Sequence, residues 1–270
     1  MKLTEPNVEL WKQEQSLEGM YAHIERCARI CYRSENKGKN TSEEFVKNVL
    51  IKRDHGRPLE FGTIVFKQPT RREMTKYLIE WAKHSPRVEY IPNESNEEEA
   101  FIVTNLRFIV ELFPDEWEHI VSMADWDLPE NFIEEVRPTV HWHLSRGIGA
   151  EFRTHVTLSS LMESTRYVNY NKKGMDFARP QWYSDDNGVR ETAWRQSMER
   201  SEADYTNLLR LGLRPEQARG VLPLDLATNL AQCGFNSAWD NFFYRRRDAA
   251  AHEDARYLAD SLYNILRKDK

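Results

Sequence analysis

The sequence predicts an α+β fold in a single domain over residues 1–270, on three observations. Apolar residues recur at helical spacing in several segments, and short β-rich runs lie between them. No internal repeat and no evident linker divides the chain. A length of 270 residues is enough to bury a sizeable core.

The elements follow in order. Leu17, Met20, Tyr21, Ile24, Cys27, Ala28 and Cys31 predict a helix over 17–34. The polar stretch 34–42 reads as a loop. Ser42 is then a candidate N-cap for a helix with the stripe Phe45, Val46, Val49 and Leu50, which Gly56, Arg57 and Pro58 break. Residues 63–66 predict a short strand. Thr70 opens a helix with Met74, Tyr77, Leu78 and Trp81 on one face. Pro86, Pro92 and the polar run 93–99 make 84–100 a solvated loop, and helical signals resume over 101–122. Residues 136–144 alternate and are β-rich, hence a strand, and 146–156 read as helical. A long polar loop fills 172–187, and an amphipathic helix covers 189–211. Pro215 opens a helical turn that Leu222 and Pro223 end, and 224–231 fits strand or helix. Two helices close the chain, at 237–247 and 249–267, the last with Leu258, Leu262, Ile265 and Leu266 on its apolar side.

Composition narrows the function. Apolar residues at 40% and charged residues at 30% describe an ordinary globular protein. A net charge of −5 argues against nucleic acid as a partner, while leaving room for a local basic pocket. Cys27, Cys31 and Cys233 are odd in number and lack framework spacing, so no disulfide scaffold is expected. The charged N-terminal residues have neither the apolar core of a signal peptide nor the Arg-rich character of a transit peptide. No apolar run approaches the ~20 residues that span a bilayer. No membrane association is expected, and the expected compartment is the cytoplasm.

The residues that carry chemistry are mostly arginines: Arg146, Arg153, Arg166, Arg219 and the run Arg245, Arg246, Arg247. Glu163, Ser164, Thr165, Arg166 and Tyr167 place an acceptor, two hydroxyls, a guanidinium and a phenol in five residues. Hydroxyls plus an arginine fork suit a phosphate monoester. The three consecutive arginines follow Phe242, Phe243 and Tyr244, so at least one faces the side that the aromatics bury and wants an anionic partner there. His141 and His143 share a strand face, but with His155 they complete no ligand set, so packing or hydrogen-bonding roles are favoured and no metal is expected. There is no P-loop, dinucleotide glycine fingerprint, nucleophile elbow or zinc-protease helix. From the residues alone, the reading is a phosphate-binding enzyme with an arginine-rich site.

Five segments in order resemble the flavin-dependent thymidylate synthases, the ThyX family. They are residues 28–34 (ARICYRS), 55–60 (HGRPLE), 146–170, 215–223 (PEQARGVLP) and 242–246 (FFYRR). The resemblance implies a ThyX-like domain with a mixed or antiparallel sheet and flanking helices. It implies C5-methylation of dUMP with FAD, NADPH and methylenetetrahydrofolate, in a homotetramer whose active sites are shared between subunits. Carried over by position, Ser164 and Arg166 hold the nucleotide phosphate, of their own or of a neighbouring subunit's site, and Arg219 contacts the nucleotide. Arg246 favours the ionised uracil and activates the ring. Glu151, Arg153 and Glu163 fall at the nucleotide, and Thr63, His155, Ser159 and Asn241 at the flavin. The family's R-H-R is here Thr154-His155-Val156, its L-E-H histidine is Phe61, and its asparagine before the motif serine is Leu161. These departures keep three alternatives open. They are the same chemistry on UMP in a nucleoside-antibiotic pathway, hydroxymethyl transfer, and a nucleotide-binding relative without flavin turnover.

Overall fold

The computed structural model describes residues 1–34, 41–68, 78, 80, 84–93, 99–184 and 188–267. Within them the strands are β1 (Lys2–Thr4), β2 (Asn7–Trp11), β3 (Thr63–Gln68), β4 (Glu89–Pro92), β5 (Ala100–Asn105), β6 (Thr139–Ser145), β7 (Ser159–Met162), β8 (Asp176–Ala178) and β9 (Ala227–Cys233). The longer helices are α1 (Leu17–Ile30), α2 (Leu106–Leu112), α3 (Arg146–Phe152), α4 (Val189–Arg210), α5 (Asn236–Arg246) and α6 (Glu253–Arg267).

The central sheet is antiparallel, in the order β2-β6-β9-β7. Its inner pair aligns Trp142 with Leu230 and His143 with Asn229. Val140, Trp142 and Leu144 alternate toward one face, where Phe152 of α3, Trp239 and Phe242 of α5, and Leu258 and Leu262 of α6 bury against them. A second antiparallel sheet, β3-β5-β4, packs Ile64, Phe66 and Ile102 against Met20 and Ile24 of α1. On its other side α1 meets the central sheet, with Cys27 and Ile30 against Leu161, Ala231 and Cys233. A parallel pair, β1-β8, lies under α4, around Phe177, Met198, Tyr205 and Leu226. The sheets are thus mixed overall and flanked by helices, an α+β architecture as expected.

Several local expectations change. The N-cap at the second helix is Thr41, not Ser42: Thr41 Oγ1 accepts from Glu44 N at 3.2 Å and Glu44 Oε2 accepts from Thr41 N at 3.0 Å. Gly56–Leu59 forms a helical turn of its own, since Pro58 lies in a first turn where no N–H is needed. The expected loop at 84–100 contains β4, with Pro92 on an edge strand that tolerates a missing donor. Residues 101–105, expected helical, fall in strand β5, as the β-branched Ile102, Val103 and Thr104 favour. The expected loop at 172–187 contains β8, and β1, β2 and β7 arise in stretches where no strand was expected. Within 224–231, residues 227–231 belong to strand β9, paired along their length with β6 and at Leu230 and Ala231 also with β7, while 224 and 225 form a turn. Ile265, placed on the apolar side of the last helix, is 44% exposed. The helix from Thr70 lies outside the described residues apart from Leu78, which is buried, and Glu80, which is exposed. Parts of the expected loops, 35–40, 94–98 and 185–187, also lie outside them.

Candidate active site

Helix α5 builds one wall of a cavity of about 1110 Å³. Phe242 is fully buried, and Arg246, four residues on, shares its face and turns inward. Ser237, Asn241 and Arg245 form a neighbouring stripe at the same spacing, and all three line the cavity. The opposite wall is Thr154, His155, Val156 and Thr157, just past α3.

Arg246 is held closely. Its Nε donates to His155 Nε2 at 2.9 Å and its Nη1 to Glu151 Oε2 at 2.7 Å. Its Nη2 donates to the Glu151 carbonyl at 2.7 Å and to Thr154 Oγ1 at 3.0 Å. Those bonds use four of the five guanidinium N–H groups and leave one on Nη1. His155 must present a lone pair at Nε2. Its imidazole pKa is pushed down to about 4, first by burial and then by the Arg246 charge, against a hydrogen bond with Asn241. Arg246, His155, Glu151, Asn241 and Thr154 are thus brought together in one hydrogen-bonded group.

The cluster at 163–167 is separate. The turn at 163–167 is pinned where Ser164 N donates to the Cys31 carbonyl at 2.9 Å and Arg166 N donates to Ser164 Oγ at 3.3 Å. Arg166 is exposed, with its guanidinium 5.1 Å from the Tyr167 ring centroid, and that ring packs on Tyr32 at 5.1 Å. Arg219, also exposed, donates to Thr165 Oγ1 at 3.4 Å. Neither arginine has a carboxylate partner among the described residues, and neither lines the cavity.

Other expected site residues sit differently. Glu163 is buried. Its Oε1 accepts from Tyr170 Oη at 2.9 Å, its Oε2 accepts from Asn229 Nδ2 at 3.3 Å, and its carbonyl accepts from Arg146 Nη1 at 3.1 Å. That carboxylate holds the turn, and burial first, then the Glu163 charge, push the Tyr170 phenol well above its ordinary pKa. Arg153 is exposed, does not line the cavity, and is near enough to Cys31 for its charge to oppose the rise in that thiol's pKa that burial causes. Thr63 is buried and lines neither this cavity nor the smaller one described next; its hydroxyl accepts from Arg137 Nη1 at 3.0 Å. Ser159 lines that smaller cavity, of about 260 Å³, which shares Pro86, Val156, Thr157 and Phe235 with the large one.

His141 stacks on Trp11 at 4.4 Å, and His143 bonds Thr4 Oγ1 at 2.8 Å and Asn229 Oδ1 at 3.3 Å. Among the described residues no group of three or more His, Cys, Asp or Glu is placed to hold a metal. The three thiols are free, and no described helix is long and apolar enough to cross a membrane.

Of the smaller cavity's arginines only Arg57 lies in a segment that the sequence marked; Arg87, Arg107 and Arg137 carried no signal, being scattered along the chain. Residues 93–269 match the family described as thymidylate synthase complementing protein. No curated protein matches the chain.

Proposed function

The chain belongs to the thymidylate synthase complementing protein family, and from that membership we propose that it methylates C5 of a uracil nucleotide, dUMP by default. FAD, NADPH and methylenetetrahydrofolate are the proposed cofactors and carbon donor. The observation that carries the reading is Arg246, clamped at the wall of the large cavity with one N–H unspent.

A uracil ring becomes nucleophilic at C5 when negative charge builds on it. A fixed guanidinium N–H aimed at a ring carbonyl stabilises that charge without reorganisation. Glu151 and Thr154 fix the direction of the Arg246 fork, and His155, neutral at working pH, accepts from Nε. His155 therefore acts as a positioning residue, not as the acid or base.

A cavity of about 1110 Å³ exceeds the usual range for one small ligand and leaves room for stacked ring systems. Asn241, Ser237 and His155 offer the neutral polar groups that would hold a flavin ring. A bound flavin would supply the hydride that completes the methyl group. Arg166 and Arg219 face solvent outside this cavity, which favours a site completed by another subunit's phosphate-binding turn, in a homotetramer.

The decisive experiment is tritium release from [5-³H]dUMP against [5-³H]UMP, with NADPH, FAD and methylenetetrahydrofolate. Release from dUMP supports the default substrate; release from UMP alone moves the activity to the ribonucleotide. A protein that takes up no FAD and releases no tritium from either is a nucleotide binder without turnover. One observation favours that second reading: the positions of the two R-H-R arginines are filled by Thr154 and by Val156, which is 92% exposed.

A further inference from the structure

Strand β4 sets a carboxylate in the wall of the large cavity. Pro86, Val88 and Glu89 line that wall and precede residues 93–269, so the family match does not account for it. The backbone there is held in place. Val88 is buried in the same core as Ile102, Thr104 Oγ1 donates to the Arg87 carbonyl at 3.0 Å, and Glu89 pairs with Val103 of β5.

Glu89 is half-buried, yet its side chain has no hydrogen bond and no ion pair among the described residues. Burial raises its carboxyl above the usual pKa, and no neighbouring charge offsets the rise. The other charged groups lining the cavity are engaged elsewhere. Arg246 is bound to Glu151, Asp248 Oδ1 accepts from Ala250 N at 2.8 Å, and the Arg245 guanidinium lies 5.5 Å from the Tyr244 ring centroid. A half-buried carboxylate without a donor costs the folded chain free energy, and a ligand that brings donors recovers it.

We propose that Glu89 binds the amino-pyrimidinone edge of the reduced pterin in the carbon donor, and so selects that ring and its orientation in the large cavity. The identity of the ligand rests on the methylation reading. The pterin edge carries an exocyclic amino group and a ring N–H side by side, and the two oxygens of a carboxylate accept from such a pair at once. The other rings proposed to enter lack that pair. Uracil and the flavin's pyrimidine edge each set one N–H between two carbonyls, and adenine sets its amino group beside ring acceptors. A cavity of about 1110 Å³ has room for a pterin beside a second ring system.

The test is calorimetric titration of the full chain, with FAD and dUMP present, using folinate and its 2-desamino analogue. Folinate keeps both donors of the pterin edge; the analogue lacks the amino group. Glu89→Gln, which leaves one acceptor where two are used, is expected to weaken folinate about tenfold or more and the analogue far less. Its Tm is expected to be unchanged or higher, because no described hydrogen bond or ion pair is lost. Failure of folinate to bind the unaltered chain, or weakening of both ligands alike or of neither, overturns the proposal. So does a Tm lowered by more than about 5 °C, which would make Glu89 a structural residue. Tritium release is read separately. A chain that releases none, yet shows the Glu89-dependent preference for folinate, fails as a methylase and keeps this site; one that releases tritium without that preference does the reverse.

Discussion

Arg246 and Glu163 are the two residues on which most depends, for different reasons. Arg246→Ala removes the fixed cation and is expected to abolish tritium release while leaving the circular-dichroism spectrum unchanged; near-normal turnover would show that the ring is activated elsewhere. Arg246→Lys is not a rescue, since an ammonium cannot reproduce the fork shared by His155, Glu151 and Thr154. Glu163 touches no cavity and acts through its partners. Glu163→Leu leaves the buried Tyr170 hydroxyl without its acceptor and is expected to cost on the order of 2–4 kcal/mol in urea unfolding. A loss under about 0.5 kcal/mol would mean that the turn holds without it.

At the scale of elements, α1 tests how packing overrides propensity. Helix propensity favours alanine over Gly19 by about 1 kcal/mol. A Cβ there would stand 2.6 Å from the Glu14 carbonyl oxygen, a backbone atom that cannot step aside cheaply. Gly19→Ala is therefore expected to destabilise by on the order of 1–3 kcal/mol; a rise in Tm would refute the clash. The same contest between local pattern and context decides what the sequence revealed. The helices α1, α4, α5 and α6 were legible, because each keeps an apolar stripe over three or more turns. Strand β7 was not, because four residues are too short to show a period. Strand β2 exposes alternate residues, and its charges hid the alternation. Of the site, Ser164, Arg166, Arg219 and Arg246 stood out by residue type, and family resemblance gave them their expected roles. That Glu151 clamps Arg246 across 95 residues, or that Arg137 occupies Thr63, follows only from the fold.

For the whole molecule, acid is the informative stress. His23, His141 and His155 are each held neutral, with pKa values lowered to about 4, burial being the first cause in every case. The unfolded chain binds these protons near pH 6.5 and the native chain does not. The stability tied to them is thus full above about pH 6.5 and is lost as pH falls toward 4, by about 1.4 kcal/mol per proton per pH unit. His23→Gln should flatten that slope whatever it does to stability at neutral pH; an unchanged slope would place the proton uptake elsewhere. Assembly gives a second check. If sites are shared, co-expressed Arg246→Ala and Arg166→Ala chains should regain turnover that neither has alone, and no recovery would confine each site to one subunit. Helix α3 stands between the two clusters: Arg146 at its start reaches the Glu163 carbonyl, and Glu151 near its end grips Arg246. Seven residues make a rod of about 10 Å. One residue inserted in that rod would lengthen it by about 1.5 Å and swing one end by about 100°. The turn proposed to hold the phosphate and the arginine proposed to activate the ring would then fall out of phase, although every residue of both was still present. The chain's tolerance should thus be generous toward point changes along α3 and narrow toward any change in its length.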